Sequence, residues 1–182
     1  MRLALVLLLA AGPAAANPIT LGANVGLAQT KVAADGDANR TLGLFGRLGL
    51  GSRVAGQLEL AQIESRTSPT DDIKQGGAFL VADFAGGSLV PLVLIGGGID
   101  HESWGFGDAT YARAEAGLGL ELRTSGGFVL GADVRLGTRT VVMQTKSDVL
   151  ANMTPAQIAF LTPETLHEGE YRSARLTLGV TF

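Results

Sequence analysis

Residues 171–182 alternate without a break. Phe182, Val180, Leu178, Leu176 and Ala174 fall on one side of a period-2 strand, and Thr181, Gly179, Thr177, Arg175 and Ser173 fall on the other. In a soluble sheet the apolar side would pack on a core, and the chain would end with a free carboxylate beside a buried Phe182. In a transmembrane barrel the same strand is natural: the apolar side meets lipid, the small and polar side lines the lumen, and the last aromatic sits at the membrane interface. Such a sheet has to close on itself, because hydrocarbon offers no partner to an open edge.

The other end of the chain agrees with export. Met1-Arg2, the apolar run 3–11, Gly12-Pro13 and Ala14-Ala15-Ala16 read as a secretory signal peptide over residues 1–16, leaving 17–182 as one domain. The apolar run is too short for a membrane-crossing helix, which needs about 20 residues. The longest later run, 89–95, is cut by Pro91 and followed by three glycines. With no cysteine, the chain carries neither disulfide nor lipid-anchored cysteine. Its formal charge of −3 argues against a nucleic-acid partner. Glycine is in excess, 26 residues without a collagen-like period, as expected where a narrow barrel is crowded inside.

The alternation predicts eight antiparallel strands, at about 19–32, 40–50, 54–64, 75–84, 89–100, 110–122, 128–141 and 171–182. The clearest is the sixth, with Ala112, Ala114, Ala116, Leu118, Leu120 and Leu122 against Tyr111, Arg113, Glu115, Gly117, Gly119 and Glu121. Strands four and five are apolar on both parities, so their facing stays open; aliphatic packing of the interior is favoured over a greasy slot, because eight strands enclose little more than their own side chains. Connections one, three, five and seven are expected to be long and polar, and two, four and six short, the division between extracellular loops and periplasmic turns. Phe84, Phe128 and Phe182 fall at strand ends on the short-turn side. Tyr111 and Tyr171, with Trp104, are expected to form a second girdle towards the long loops. In the longest connection, 142–168, Thr154-Pro155 predicts the start of a short helix.

The lumen-facing parity collects Arg47, Arg113, Arg135 and Arg175 with Glu59, Glu115, Glu121 and Asp133. Equal numbers of opposite charges predict a self-neutralising internal network rather than a catalytic or conducting site, since buried charges have to be paired. Little porin activity is expected. No catalytic residue, cofactor or metal site is assigned: His167 stands beside Glu168, and Asp35, Asp37, Asp71 and Asp72 lack the spacing of a calcium loop. His101-Glu102-Ser103 has an H-x-S spacing similar to that of outer-membrane lipid A deacylases, although here the pair is expected where a loop begins.

Through the leader, the eight alternating strands, the loop asymmetry and the terminal Phe182, the whole mature chain resembles the small OmpA/OmpX-like outer-membrane β-barrel proteins. That resemblance implies an all-β, up-and-down transmembrane barrel in the outer membrane. It also implies a C-terminal insertion signal, Leu176, Leu178, Val180 and Phe182, read by the insertion machinery, with Val180 standing where that family often has an aromatic. The expected partners are outer-membrane lipid and lipopolysaccharide, with the protein a monomer. The expected role is structural or surface-interacting, through the extracellular loops. The alternatives are a lipid-binding or lipid-modifying barrel and a soluble periplasmic lipocalin-like barrel, the latter needing the leucines inside and the charges outside.

Overall fold

The computed structural model describes residues 18–31, 38–64, 72–104, 107–146 and 169–182. The leader, the helix expected from Thr154, and His167, Asp35, Asp37 and Asp71 lie outside these described residues. Eight strands run in chain order: β1 (Ile19–Lys31), β2 (Asn39–Gly49), β3 (Val54–Glu64), β4 (Asp72–Asp83), β5 (Leu89–Trp104), β6 (Gly107–Arg123), β7 (Phe128–Lys146) and β8 (Gly169–Thr181). Each pairs antiparallel with its neighbour, and β1 pairs with β8 from Thr20 opposite Thr181 to Lys31 opposite Glu170, closing the barrel. The architecture is therefore the all-β, up-and-down barrel that the alternation predicts.

The direction in which the sheet is turned is equally definite. Leu118 and Leu178 are 64% and 61% exposed on the outer wall, whereas Arg113 and Arg175 are 7% and 9% exposed inside it. A soluble barrel requires the reverse, so the lipocalin-like alternative is corrected by the facing of these four residues. On β2, β4 and β8 the outer wall is apolar for five two-residue steps: from Leu50 to Arg40, from Phe84 to Lys74 and from Phe182 to Arg172. Steps of roughly 6.6 Å along strands tilted by about 40° give a band about 25 Å tall, the height of a bilayer's hydrocarbon layer.

Strands β4 and β5 now take a facing. Phe79, Val81, Val90, Leu92 and Leu94 are buried inside, while Leu80, Leu89, Ile95 and Ile99 are exposed outside. Both parities are apolar because one fills the lumen and the other belongs to the apolar outer wall. Val81, Leu92 and Leu94 form one internal cluster, and Ala28, Ile63, Ile73 and Tyr171 form another nearer the long-connection end. Inward glycines make room for these fillings. A Cβ on Gly22 would lie 2.5 Å from a ring carbon of Phe45, and one on Gly117 would lie 2.7 Å from Cγ of Arg135.

Two expectations about the far end are overturned. Strands β5 and β6 run on past the predicted limits to Trp104 and from Gly107, so the fifth connection shrinks to residues 105–106. Continued backbone pairing, Asp100 with Tyr111 through Trp104 with Gly107, absorbs the polar residues that read as a loop. Tyr111 and Tyr171 belong to no girdle: both are buried in the lumen, because they lie on the inward parity and arginines cover their rings. The ring at the short-turn end does form, with Phe84, Phe128 and Phe182 all exposed. β7 carries one irregularity: Tyr111 opposes Val141 and Thr110 opposes Met143, so Val142 is the extra residue of a bulge.

Candidate functional site

The chemistry-bearing part of the molecule is its lumen, and alternation puts it there. On β2, β3, β6, β7 and β8 every charged residue predicted to face inward is buried: Arg47, Glu59, Arg113, Glu115, Glu121, Asp133, Arg135 and Arg175. The ion pairs run through the barrel in three tiers.

In the middle tier Glu59 on β3 binds two arginines. Arg135 on β7 donates from Nη2 to Oε1 at 2.7 Å and from Nη1 to Oε2 at 3.1 Å, and Arg175 on β8 donates from Nη1 to Oε2 at 2.6 Å. Asp133 Oδ1 accepts from Arg135 Nε at 2.6 Å and lies 3.4 Å from Arg175 Nη2. In the tier nearer the short turns, Arg47 Nη1 meets Glu121 Oε1 at 2.6 Å, and its Nε donates to Gln57 Oε1 at 2.6 Å. Gln57 in turn donates to Glu59, joining the two tiers. Glu121 also holds Arg123 at 2.8 Å, and Arg123 reaches Asp83 at 2.6 Å near the rim. In the tier nearer the long connections, Arg113 contacts Asp100 and Glu115, each at 2.7 Å. Arg139 meets the other oxygen of Asp100 at 3.0 Å and Glu102 at 3.3 Å.

The reach of these pairs matters more than their number. In a closed ring of eight strands, β3 and β7 stand opposite one another, and so do β2 and β6. The Glu59–Arg135 and Arg47–Glu121 pairs are thus braces across the full diameter at two successive heights. Aromatics take the spaces beside them: Arg135 lies 4.3 Å from the Phe79 ring centre, Arg139 lies 3.7 Å from Tyr111, and Arg113 lies 4.9 Å from Tyr171. This arrangement is suited to filling and fastening the lumen. Asp83, Asp100, Glu102, Arg123 and Arg139 also belong to the network and were not predicted. The parity of β7, carried two residues beyond Gly137, points to Arg139; the others sit at strand ends or on β5, where alternation alone gave no facing.

The H-x-S pair is placed differently from expectation. His101 and Ser103 are on β5 itself, on the outer face above the apolar band, because that strand continues past Asp100. Ser103 Oγ lies 3.4 Å from His101 Nε2, and His101 Nδ1 lies 3.3 Å from Thr110 Oγ1. Glu102, between them, turns inward to Arg139, so it does not orient the imidazole. Among the described residues no three His, Cys, Asp or Glu side chains cluster as a metal site. On β8 the outward parity carries Leu176, Leu178 and the terminal Phe182, all exposed, with Val180 half-buried.

No protein-family model and no curated protein sequence matches the chain. Solved structures do. Neisserial surface protein A is similar at 10% identity and TM-score 0.66, over 90% of this chain and 97% of that one. The N-terminal β-barrel domain of Pseudomonas aeruginosa OprF is similar at 14% identity and TM-score 0.60, over 92% and 98%. Ail, the attachment invasion locus protein of Yersinia pestis, is similar at 16% identity and TM-score 0.54, over 92% and 99%. At such identities the likeness is one of fold alone.

Proposed function

We propose that the protein is an outer-membrane barrel whose work is done at the cell surface by the segments joining its strands, and that it is neither an open porin nor an enzyme. The observation that carries this reading is the pair of diametric ion bridges, Glu59–Arg135 and Arg47–Glu121, inside a wall whose outer face is apolar for about a bilayer's thickness. A lumen braced in this way gives solutes no standing passage, so activity falls to the ends of the barrel, as it does on other rigid scaffolds that present loops. The longest connection, residues 147–168, is the first candidate for a surface contact. The likeness to a protein whose name contains "surface protein" and to one called an attachment invasion locus protein supports the same reading.

The outward Leu176, Leu178, Val180 and Phe182 serve as the insertion signal at the closing strand. The protein works as a monomer surrounded by outer-membrane lipid and lipopolysaccharide, and needs no cofactor. Membrane fractionation with a comparison of boiled and unboiled gel mobility tests the placement: the expected result is a detergent-extracted species whose mobility changes on boiling. Recovery in the soluble fraction without detergent would overturn it. Planar-bilayer recordings test the closed lumen, and stable, frequent conductance steps from pure protein would refute it.

A further inference from the structure

The apolar outer wall stops at a row of polar side chains, and that row is uneven around the barrel. The first polar outward residue above the band is Gln29 on β1, Arg40 on β2, Gln62 on β3, Lys74 on β4 and Arg172 on β8. On β5, β6 and β7 it is His101, Thr110 and Thr138. The three cations therefore lie on the arc from β8 through β1 to β4. The outward acids nearest the two arginines, Glu64 and Glu170, are each one two-residue step farther along their own strands, Glu64 directly across from Arg40 and Glu170 paired to Arg172 at 2.7 Å.

Beneath Arg172 and Arg40 the wall is also hollowed. Ala174 stands opposite Val134 on one side and Leu27 on the other, one methyl group between two larger side chains. The resulting furrow of about 650 Å³ is walled by Val25, Leu27, Leu42, Val134 and Leu176 and is reached at its polar end by Arg40 and Glu64. A smaller continuation of about 270 Å³ shares Leu27, Val134 and Ala174 and runs to Gln29 and Arg172.

Resting on the outer-membrane reading above, we propose that this sector seats one membrane lipid bearing two headgroup phosphates, one at Arg40 and one at Arg172, with an acyl chain in the furrow over Ala174. The two arginines stand on strands separated only by β1, Arg40 opposite Leu27 and Arg172 opposite Gln29, hence about 12 Å apart at the backbone, with Gln29 beside Arg172 as a neutral hydrogen-bonding group. Guanidinium forks suit phosphate, and their contacts with it are charge-assisted. A lipid fits better than free phosphate, because the furrow binds only a molecule that also carries a hydrocarbon chain.

The test uses the full mature protein, purified in neutral detergent and mixed with bis-phosphorylated lipid A, and counts retained lipid by native mass spectrometry. The wild type is expected to keep one lipid A and to reject phosphatidylcholine, and excess inorganic phosphate is expected not to displace it. R40Q/R172Q is expected to lose retention by about tenfold or more, as the removal of two charge-assisted contacts implies. A174F, which fills the furrow and leaves both arginines, is expected to lose retention similarly. R53Q, in the exposed turn after β2 and far from the furrow, is expected to bind as the wild type does. All variants are first required to keep the wild-type difference between boiled and unboiled mobility. Equal loss in R53Q, full retention in R40Q/R172Q or in A174F, equal retention of phosphatidylcholine, or displacement by phosphate would each overturn the proposal. Any of these in a protein that still fractionates with the outer membrane leaves the reading above standing, whereas a soluble wild type removes both.

Discussion

Glu59 is where the barrel's interior is most exposed to a single change. Its two oxygens accept from Arg135 at 2.7 and 3.1 Å and from Arg175 at 2.6 Å. Glu59→Gln keeps the shape and removes the charge. Arg135 then retains Asp133 at 2.6 Å, but Arg175 is left with that same oxygen at 3.4 Å, beyond the range of a strong charge-assisted bond. One buried guanidinium loses its short partner and keeps only two long contacts, from Nε and Nη2 to Asp133 Oδ1 at 3.4 Å, and removing one member of a buried pair typically costs about 3–5 kcal/mol. A cost of about 4 kcal/mol shifts the folding equilibrium nearly a thousandfold. The assay is urea unfolding in lipid vesicles, followed by the fraction of unboiled protein running at the folded mobility. The companion variant E59Q/R175M removes the stranded cation as well and is expected to recover most of the loss, because a neutral replacement leaves no unpaired charge. A loss below about 1 kcal/mol for E59Q, the range of exposed ion pairs, would refute the claim that this tier is buried and interlocked. Failure of the double variant to recover would refute the assignment of the cost to Arg175.

Leu178→Arg places a charge on the outward face of β8 and is expected to destabilise the inserted barrel by about 2–4 kcal/mol, whereas Leu178→Ile is expected to be near neutral, in the same vesicle unfolding assay. Gly22→Val crowds both the backbone oxygen of Leu178 and the Phe45 ring and should cost about 1–3 kcal/mol in the same assay, with Phe45→Ala in the same chain relieving only the ring contact and recovering only part of the loss. Ser103→Ala is expected to leave lipid A acylation unchanged by mass spectrometry of extracted lipid, since the Ser103–His101 contact is exposed and Glu102 faces away. Deleting Phe182 is expected to slow appearance of the heat-modifiable species during assembly, measured by pulse-labelling.

Facing was legible in the sequence because alternation is a local property: the same period that placed Leu118 outside placed Arg113 inside. Height and cross-barrel partnership were not, because they depend on strand tilt and on the closing register of β1 with β8. Hence Tyr111 and Tyr171 were expected at an interface although their parity already pointed inward; what holds them is Arg139 and Arg113, on other strands. Strands four and five failed the alternation test for a physical reason, since lipid outside and an aliphatic filling inside ask for the same residue types. The stretch from Asp100 to Ala109 read as a loop because, beyond the hydrocarbon, nothing requires an apolar outward residue. There the strands continue on backbone pairing alone, and sequence periodicity no longer records it.

The two faces of the wall divide the energetics of the protein, and that division bears on where function can evolve. Outward residues answer to hydrocarbon and tolerate exchange among apolar types, so their identity is weakly constrained except where the band ends or hollows, at Arg40, Arg172 and Ala174. Inward residues answer to one another across the diameter, so Glu59 or Arg47 changes only together with Arg135, Arg175 or Glu121. On the reading proposed above, a binding activity that depends on this chain's particular sequence falls to the connections at the far end and to the rim where the apolar band stops.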